Sequence, residues 1–311
     1  MAKRLFCPPR QRNVGCIKFG QASFELIDEF LIHSNKRNKD NLNNLPKCSG
    51  SFKQKRLVEY IFLITEELRL DPLVGYHAIE LVQRFMVSHL DDLLASSVPQ
   101  GATAPESTNF EEAAFDMLKD KFPLIIFSCV QLASKLFLHH HIINSSTAVQ
   151  FLRSVGHTVS KQTILESELM VFKGLEFKLN VLNPLTYVEI LLEVLGHNEP
   201  SIPVEHLYHL CHPVLQFITL QRTAIYDTLL KVATQCVCPS QKQREKFVTV
   251  TEDCMLLGVG VITVATFIHY VKKWEQVVGE LSHITGISRK SISDFAHVTL
   301  THIVSTNFPA V

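Results

Sequence analysis

The sequence lacks several features that would place it in other classes of protein. No stretch of its 311 residues alternates apolar and polar side chains long enough to predict a β-sheet. Its first residues contain no apolar segment of the kind found in secretory signals, and its apolar runs are shorter than the roughly 20 residues that cross a bilayer comfortably. The motifs G-x-G-x-x-G, P-loop, H-E-x-x-H and G-x-S-x-G are all missing. We therefore expect an all-α protein of the cytosol or nucleus that does not enter membranes and is not an enzyme.

The sequence also lacks a disulfide or zinc pattern. Its eight cysteines are scattered, and several lie inside apolar helical patterns, as is typical of free thiols in a reducing compartment. His139, His140 and His141 are adjacent, and adjacent side chains on a helix point in different directions. Neither these histidines nor the pair Cys236 and Cys238 has a second ligand pair at zinc spacing. We expect surface histidines and free thiols, with no bound metal and no cofactor.

Charge is unevenly distributed along the chain, although 46% of the residues are hydrophobic and the formal net charge is zero. Residues 1–54 contain ten lysines and arginines against four acidic residues, a net charge of +6, so the rest of the chain carries −6. Such a basic arm suggests an anionic partner, but this charge is a weak signal for nucleic acid, and direct DNA binding is only a weak alternative. Within the arm, Phe24–Ile32 predicts an amphipathic helix, and residues 35–51 have linker composition.

Two nearly all-apolar segments, Phe122–Leu138 and Met255–Ile268, predict the buried central helices of an all-α protein, since a helix apolar on all sides has no face for water. Amphipathic spacing predicts further helices at 55–68, 74–90, 146–155, 161–174, 184–195, 204–220, 224–232, 274–284 and 288–304. Residues 95–109 have the composition of a disordered loop, and a mixed segment, 110–118, leads into the first central helix. We predict a partly disordered basic arm, 1–54, followed by two similar five-helix units, 55–181 and 182–311.

The first central helix carries one charged residue, Lys135, near its end. A lysine on a buried helix is costly unless a carboxylate pairs with it, and Glu168 lies on another predicted helix with an apolar face. We predict that the two side chains meet. The alternatives are a purely structural ion pair or two solvated charges at the rim of the fold.

An all-α unit whose buried central helix ends in Ala-Ser-Lys resembles the cyclin box. Residues 57–60 read Leu-Val-Glu-Tyr where cyclins carry Leu-Val-Asp-Trp, and residues 83–86 read Gln-Arg-Phe-Met where cyclins carry Asp-Arg-Phe-Leu. Leu124, Ala133, Ser134 and Lys135 match the central helix, and the segment 165–191 resembles the fifth helix and the entry to a second fold. The second half, from 253 to 287, is similar to a C-terminal cyclin fold. Within the cyclins, a branch that acts in meiosis is particularly similar in the runs LVEYIFLITEEL, AIELVQRFMV, SCVQLASKL, LESEL, YVEILLEVLG and CMLLGVGVI.

The resemblance implies two tandem five-helix cyclin-like folds and a regulatory role. In cyclins the lysine and glutamate of the box pair and contact a cyclin-dependent kinase, so Lys135 and Glu168, with Leu124, become candidates for a kinase interface. The resemblance further implies a nuclear protein on meiotic chromosomes that promotes the maturation of crossover intermediates, with recombination and ubiquitin-ligase factors as further candidate partners. The alternative is a cyclin-fold adaptor that holds such factors together without a kinase.

One departure from the cyclin pattern and one short motif bear on partner binding. Cyclins join the first and second helices by an Arg–Asp pair, and the matching residues here are Gln54 and Gln83, which can form a hydrogen bond only without charge assistance. Lys3-Arg4-Leu5-Phe6 resembles the basic motif that docks on cyclin hydrophobic patches, and it is a candidate docking motif. The sequence has no Ser-Pro or Thr-Pro pair, so a proline-directed kinase bound here would act on other proteins.

Overall fold

The computed structural model describes residues 18–46, 48–96, 122–137 and 143–307. These residues form α-helices and one 3-10 turn and contain no β-strand, so the predicted all-α class is confirmed. In chain order the helices are α1 (Phe24–Asn43), α2 (Lys55–Glu67), α3 (Pro72–Ser96), α4 (Phe122–Phe137), α5 (Ser145–Ser154), α6 (Lys161–Gly174), α7 (Pro184–Asn198), α8 (Val204–Leu220), α9 (Arg222–Thr234), α10 (Gln241–Thr251), α11 (Cys254–His269), α12 (Trp274–Thr285) and α13 (Arg289–Asn307). The 3-10 turn, Val271–Lys273, lies between α11 and α12.

The chain folds into two compact units. The middle unit comprises the described residues between 46 and 181 and contains α2 to α6. The composite unit joins residues 18–45 to residues 182–307, so that α1 belongs with α7 to α13. Its described part has more helices than the predicted second fold, and the prediction of two similar five-helix folds is not confirmed. The predicted mixed segment 110–118 lies outside the described residues.

The middle unit is built around α4, as its composition predicts. Every residue from Ile125 to Ser134 is buried, and α4 packs against α2, α3 and α6. Ser128 and Ser167 are buried where α4 meets α6, with their hydroxyl oxygens 2.9 Å apart. This bond satisfies two polar groups that would be costly to bury alone, and it joins α6 to the middle of α4.

Gln83 on α3 holds the segment before α2 through main-chain groups. Its amide oxygen accepts the Phe52 N–H at 2.9 Å, and its amide nitrogen donates to the Cys48 carbonyl at 3.1 Å. Gln54 is exposed at the N-terminal cap of α2. The two bonds from the Gln83 amide therefore go to backbone groups and not to the side chain of Gln54.

The residue before Gln54, Lys53, forms an ion pair that joins the start of α2 to α3. Lys53 Nζ lies 2.8 Å from Glu80 Oε1, and the two side chains are 7% and 17% exposed. The Arg–Asp pair of cyclins is absent at residues 54 and 83, as the sequence indicates, but the Lys53–Glu80 pair, which was not predicted, supplies charge assistance at neighbouring positions. The signal was present in the sequence, since Glu80 lies three residues before Gln83, almost one turn away on the same helix face.

The composite unit is built around α11. All residues from Cys254 to Thr266 are buried, and the helix packs against α1, α7, α8, α12 and α13. At Gly260 an added Cβ would lie 2.3 Å from the Phe295 ring, so only glycine allows α13 to approach this closely. The second apolar segment of the sequence is therefore a second central helix.

Helix α1 continues to Asn43, so the prediction that residues 35–43 form a linker was wrong. Ile27, Ser34 and Asn38 lie on one buried face. The Asn38 amide nitrogen donates to Asp253 Oδ1 at 2.8 Å, and its amide oxygen accepts the Cys254 N–H at 3.1 Å. Two of its three buried residues are polar, so an apolar period could not reveal the second half of the helix.

Among the described residues, no single helix is long and apolar enough to cross a membrane. The consecutive helices α10 and α11 reach the required length and composition only together, and they are bent by 72°.

Candidate partner-binding site

Lys135 lies in the last turn of α4, where the buried helix reaches the surface, and Glu168 faces it from α6. The ammonium Nζ donates to Glu168 Oε1. The lysine side chain is 40% exposed and the glutamate side chain 10%. The structure therefore brings these two residues together at the edge of the middle unit, and their role in partner binding stays a prediction.

A shallow groove of about 470 Å³ runs beside this ion pair. It is lined by Leu132, Lys135, Leu136, Leu165, Glu168, Leu169, Phe172 and Leu179. Three of these leucines are half exposed: Leu136 at 44%, Leu165 at 48% and Leu169 at 49%. Exposed apolar side chains that converge on one groove mark an interaction surface more than scattered ones do.

Phe177 extends this surface, and the sequence did not predict it. It is 61% exposed, and its ring meets the ring of Phe172 edge to face with centroids 5.0 Å apart. Glu176 and Phe177 adopt left-handed φ values of 53° and 59°. Such strain in two consecutive residues other than glycine costs on the order of 1 kcal/mol or more each, so the turn presents an exposed aromatic ring at an energetic cost.

The segment after α6 is anchored by α3. Arg84 Nη1 donates to the Lys178 carbonyl at 3.2 Å, and the buried His77 donates from Nε2 to the Leu179 carbonyl at 2.9 Å. Because Leu179 lines the groove, these two bonds fix one end of it.

Other predicted site residues do not reach the groove. Leu124 is half-buried in the first turn of α4, about 16 Å along the helix axis from Lys135, and it does not line the groove. The docking-motif candidate Lys3-Arg4-Leu5-Phe6 lies outside the described residues.

A second pocket of about 420 Å³ lies at the start of α2. Its lining consists of Cys48, Ser51, Phe52, Gln54, Arg56, Leu57, Tyr60, Phe122, Pro123 and Ile126, with Arg56 as the charged residue and no carboxylate. A pocket with a cationic rim does not favour a basic peptide, and docking of residues 3–6 stays a prediction.

Among the described residues, no group of three or more His, Cys, Asp or Glu side chains is placed to hold a metal ion. Cys236 is half-buried and Cys238 exposed, and both are free thiols. Burial raises the pKa of the Cys129 and Cys211 thiols, which keeps them protonated and unreactive. The three adjacent histidines, 139–141, lie outside the described residues.

Comparison with known proteins found two closely similar relatives. The chain is 39% identical over 304 residues to "Cyclin N-terminal domain-containing protein 1" of Mus musculus, a match that covers 97% of this chain and 91% of the relative. It is 38% identical over 301 residues to the protein of the same name from Homo sapiens, with the same coverage. No family model matches the sequence.

Proposed function

Because this chain belongs to the family of cyclin N-terminal domain-containing protein 1, we propose that it is a regulatory protein that engages a cyclin-dependent kinase and thereby promotes meiotic crossover maturation. The predicted resemblance to the cyclins is confirmed by these relatives, whose names state a cyclin domain. The kinase, the meiotic role and a place on chromosomes in the nucleus belong to the proposal. It is a binding function, without a reaction of its own.

The groove beside Lys135 and Glu168 carries this proposal. A partner helix with apolar residues on one face would cover Leu136, Leu165 and Leu169, and full burial of one such side chain stabilises a complex by about 1.5–3 kcal/mol. The ion pair can be covered at the same time, because each charge already has its partner. Lysine has three N–H donors, so two remain for carbonyl groups of the partner.

The framework behind the groove supports the same proposal. Partner binding requires α4 and α6 to be held in place, and the Ser128–Ser167 bond and the Lys53–Glu80 pair brace the unit around α4. The Lys53–Glu80 pair supplies a charge-assisted junction between the start of α2 and α3, where the resemblance implies an Arg–Asp pair in cyclins.

Affinity purification from testis or ovary, followed by mass spectrometry, tests the kinase interface. The wild type is compared with Lys135→Glu, which places a second carboxylate beside Glu168. Lys231→Glu is the matched control, because Lys231 is 43% exposed and pairs with Asp227 in the composite unit. We expect a cyclin-dependent kinase with the wild type and the control but not with Lys135→Glu. Equal recovery with all three proteins would refute the proposed interface.

The meiotic part of the proposal has its own test. Chromosome spreads from animals that lack the protein should show fewer crossovers, and the animals should have reduced fertility. Normal crossover numbers in such animals would refute this part and leave the kinase interface to be judged by the purification.

A kinase-independent scaffold is the second candidate. It is favoured by the exposed apolar residues that each compact unit presents, because a scaffold needs surfaces for more than one partner. Under this function, recombination or ubiquitin-ligase factors would be recovered equally with the wild type and with Lys135→Glu, and no kinase would accompany them.

A further inference from the structure

The C-terminal end of α11 and the following 3-10 turn expose three large apolar side chains. Phe267 is 40% exposed, Ile268 45% and Val271 61%, whereas the rest of the helix before them is buried. Single exposed apolar residues are common on protein surfaces, but these three lie within five consecutive positions. We call Phe267, Ile268 and Val271 the α11 patch.

Trp274 lies beside the patch and contains a buried hydrogen-bond donor. Its ring meets Phe267 edge to face at 5.8 Å. Within the described part of the chain, its buried indole N–H has no acceptor. Buried donors are nearly always satisfied in folded proteins, so the unsatisfied indole N–H is an unusual feature of the structure beside the patch.

Two lysines without an acidic partner border the patch. Lys272 is exposed, and Lys273 Nζ donates only to neutral groups, Ser201 Oγ and Gln276 Oε1, each at 3.2 Å. Neither lysine takes part in an ion pair among the residues that the structure describes. Glu275, which is exposed, is the acidic residue of the same short segment. The segment 271–275 therefore carries a net charge of +1, and the neighbouring Glu199 carboxylate already accepts a hydrogen bond from Gln276 Nε2 at 2.6 Å.

The α11 patch occupies the same place in its helix as the charged end of α4. Lys135 and Leu136 are the third- and second-last residues of α4, and Phe267 and Ile268 are the third- and second-last of α11. Leu136 and Ile268 are almost equally exposed, at 44% and 45%. In the middle unit the lysine is neutralised by Glu168, whereas the lysines beside the α11 patch remain available to an anionic group.

We propose that the α11 patch is a second docking surface, which binds an acidic amphipathic helix of a partner protein. The apolar face of that helix covers Phe267, Ile268 and Val271, and its carboxylates lie against Lys272 and Lys273. A membrane surface is matched less well, because electrostatic attachment to anionic lipid usually needs a cluster of about 4–8 basic residues. This inference does not depend on kinase engagement, because it uses none of the residues of the groove.

A synthetic helix tests the proposal on the full chain. The probe is a peptide of about 15 residues, long enough to form a helix, with leucines at helical spacing on one face and glutamates on the other. Its counterpart carries lysines in place of the glutamates, and neither peptide contains an aromatic residue. Trp274 is the single tryptophan of the chain, so its fluorescence reports binding at the patch, and calorimetry supplies the affinity. We expect the acidic peptide to bind at least tenfold more tightly than the basic one.

Variants separate the patch from other surfaces. Ile268→Asp and Val271→Asp should each weaken binding of the acidic peptide at least tenfold, and Lys272→Glu combined with Lys273→Glu should abolish the preference for it. Leu63→Asp, which changes a comparably exposed leucine of α2 that lines neither the groove nor the second pocket, is the matched control and should bind like the wild type. Melting temperatures verify that each variant is folded.

Three outcomes would overturn the proposal. They are the absence of binding by the wild type, equal binding of the two peptides, and undiminished binding by Ile268→Asp. Binding of phosphatidylserine vesicles through the same residues, in place of the peptide, would also overturn it and would identify a membrane surface instead.

Discussion

At the scale of single residues, the Lys135–Glu168 pair is asymmetric. Lys135 is 40% exposed and can be solvated alone, whereas Glu168 is only 10% exposed. A carboxylate in such a place depends on its partner, because removing one charge leaves the other poorly solvated. The lysine therefore allows a carboxylate to remain in the wall of an apolar groove.

This asymmetry predicts that removing the charge of Lys135 and removing the charge of Glu168 have unequal effects on the free energy of unfolding. Lys135→Met leaves Glu168 without its cation and should lower the free energy of unfolding by about 1–3 kcal/mol. Glu168→Gln leaves an exposed lysine and should cost less than about 1 kcal/mol. Urea unfolding of the full chain gives both values. The double substitution should recover most of the loss, and equal losses in the two single variants would contradict the argument.

The hydrogen bonds of Asp227 predict that the stability of the fold depends on pH. The Arg244 guanidinium and the Lys231 ammonium bond to Asp227 at 2.8 and 3.0 Å, and these bonds lower the pKa of its carboxyl group. A carboxyl whose pKa is lowered in the folded state stabilises the fold above its ordinary pKa, and this contribution is lost as the pH falls through the folded value.

Asp227→Asn should therefore lower the free energy of unfolding near neutral pH by about 0.5 kcal/mol, a value that allows for solvent screening at this half-exposed site. The difference from the wild type should shrink as the pH falls below the ordinary value of 3.8. Urea unfolding at several pH values measures it, and Asp28→Asn on the exposed side of α1 is the control. A difference that stays constant down to acid pH would show that charge is not the cause.

At the scale of helices, the sequence predicts those elements whose apolar residues follow a helical period. Helices α4 and α11 were predicted because they are apolar on all sides. Helix α10 was not predicted, because none of its residues is buried and its start is marked only by the capping box of Ser240 and Gln243. The second half of α1 was missed for a related reason, since Ser34 and Asn38 are buried polar residues.

The candidate site, too, could be predicted from the sequence only in part. The pairing of Lys135 with Glu168 followed from the cost of a lone charge on a buried helix. The period of α6 could not distinguish its buried residues, Ile164 and Val171, from its half-exposed ones, Leu165 and Leu169. Which apolar residues remain exposed depends on the neighbours of the helix, and these follow from tertiary packing.

The pair that joins α2 to α3 predicts a charge-swap experiment. Lys53→Glu places two carboxylates at a buried junction and should lower the free energy of unfolding by about 3 kcal/mol or more. Lys53→Glu combined with Glu80→Lys restores opposite charges and should recover a large part of this loss. Urea unfolding of the four proteins of this cycle gives the coupling energy. A coupling near zero would mean that the pair does not hold the two helices together.

At the scale of the whole molecule, the composite unit combines segments far apart in the chain. Glu193 on α7 accepts the N–H groups of Gly20, Gln21 and Ala22 at 2.9, 2.9 and 2.8 Å. An added Cβ at Gly20, whose φ is +72°, would lie 2.8 Å from the backbone of Gly196. The basic N-terminal segment therefore includes structural contacts of the C-terminal half, which composition and charge do not indicate.

Deletion of residues 1–45 should therefore destabilise the composite unit. The deletion removes the bonds of Asn38 to the start of α11 and the three bonds to Glu193, and it exposes the apolar surfaces of α7 and α11 that α1 covers. Because α1 packs within the composite unit, we expect hydrogen exchange, read by mass spectrometry, to accelerate in α7 and α11. Exchange in α4 and α6, whose core lies in the middle unit, should stay close to that of the wild type.

A milder variant, Asn38→Leu, should accelerate exchange at the start of α11, whereas Asn41→Leu on the exposed side of the same helix should not. Unchanged exchange in α11 after the deletion would show that the N-terminal segment does not stabilise the composite unit.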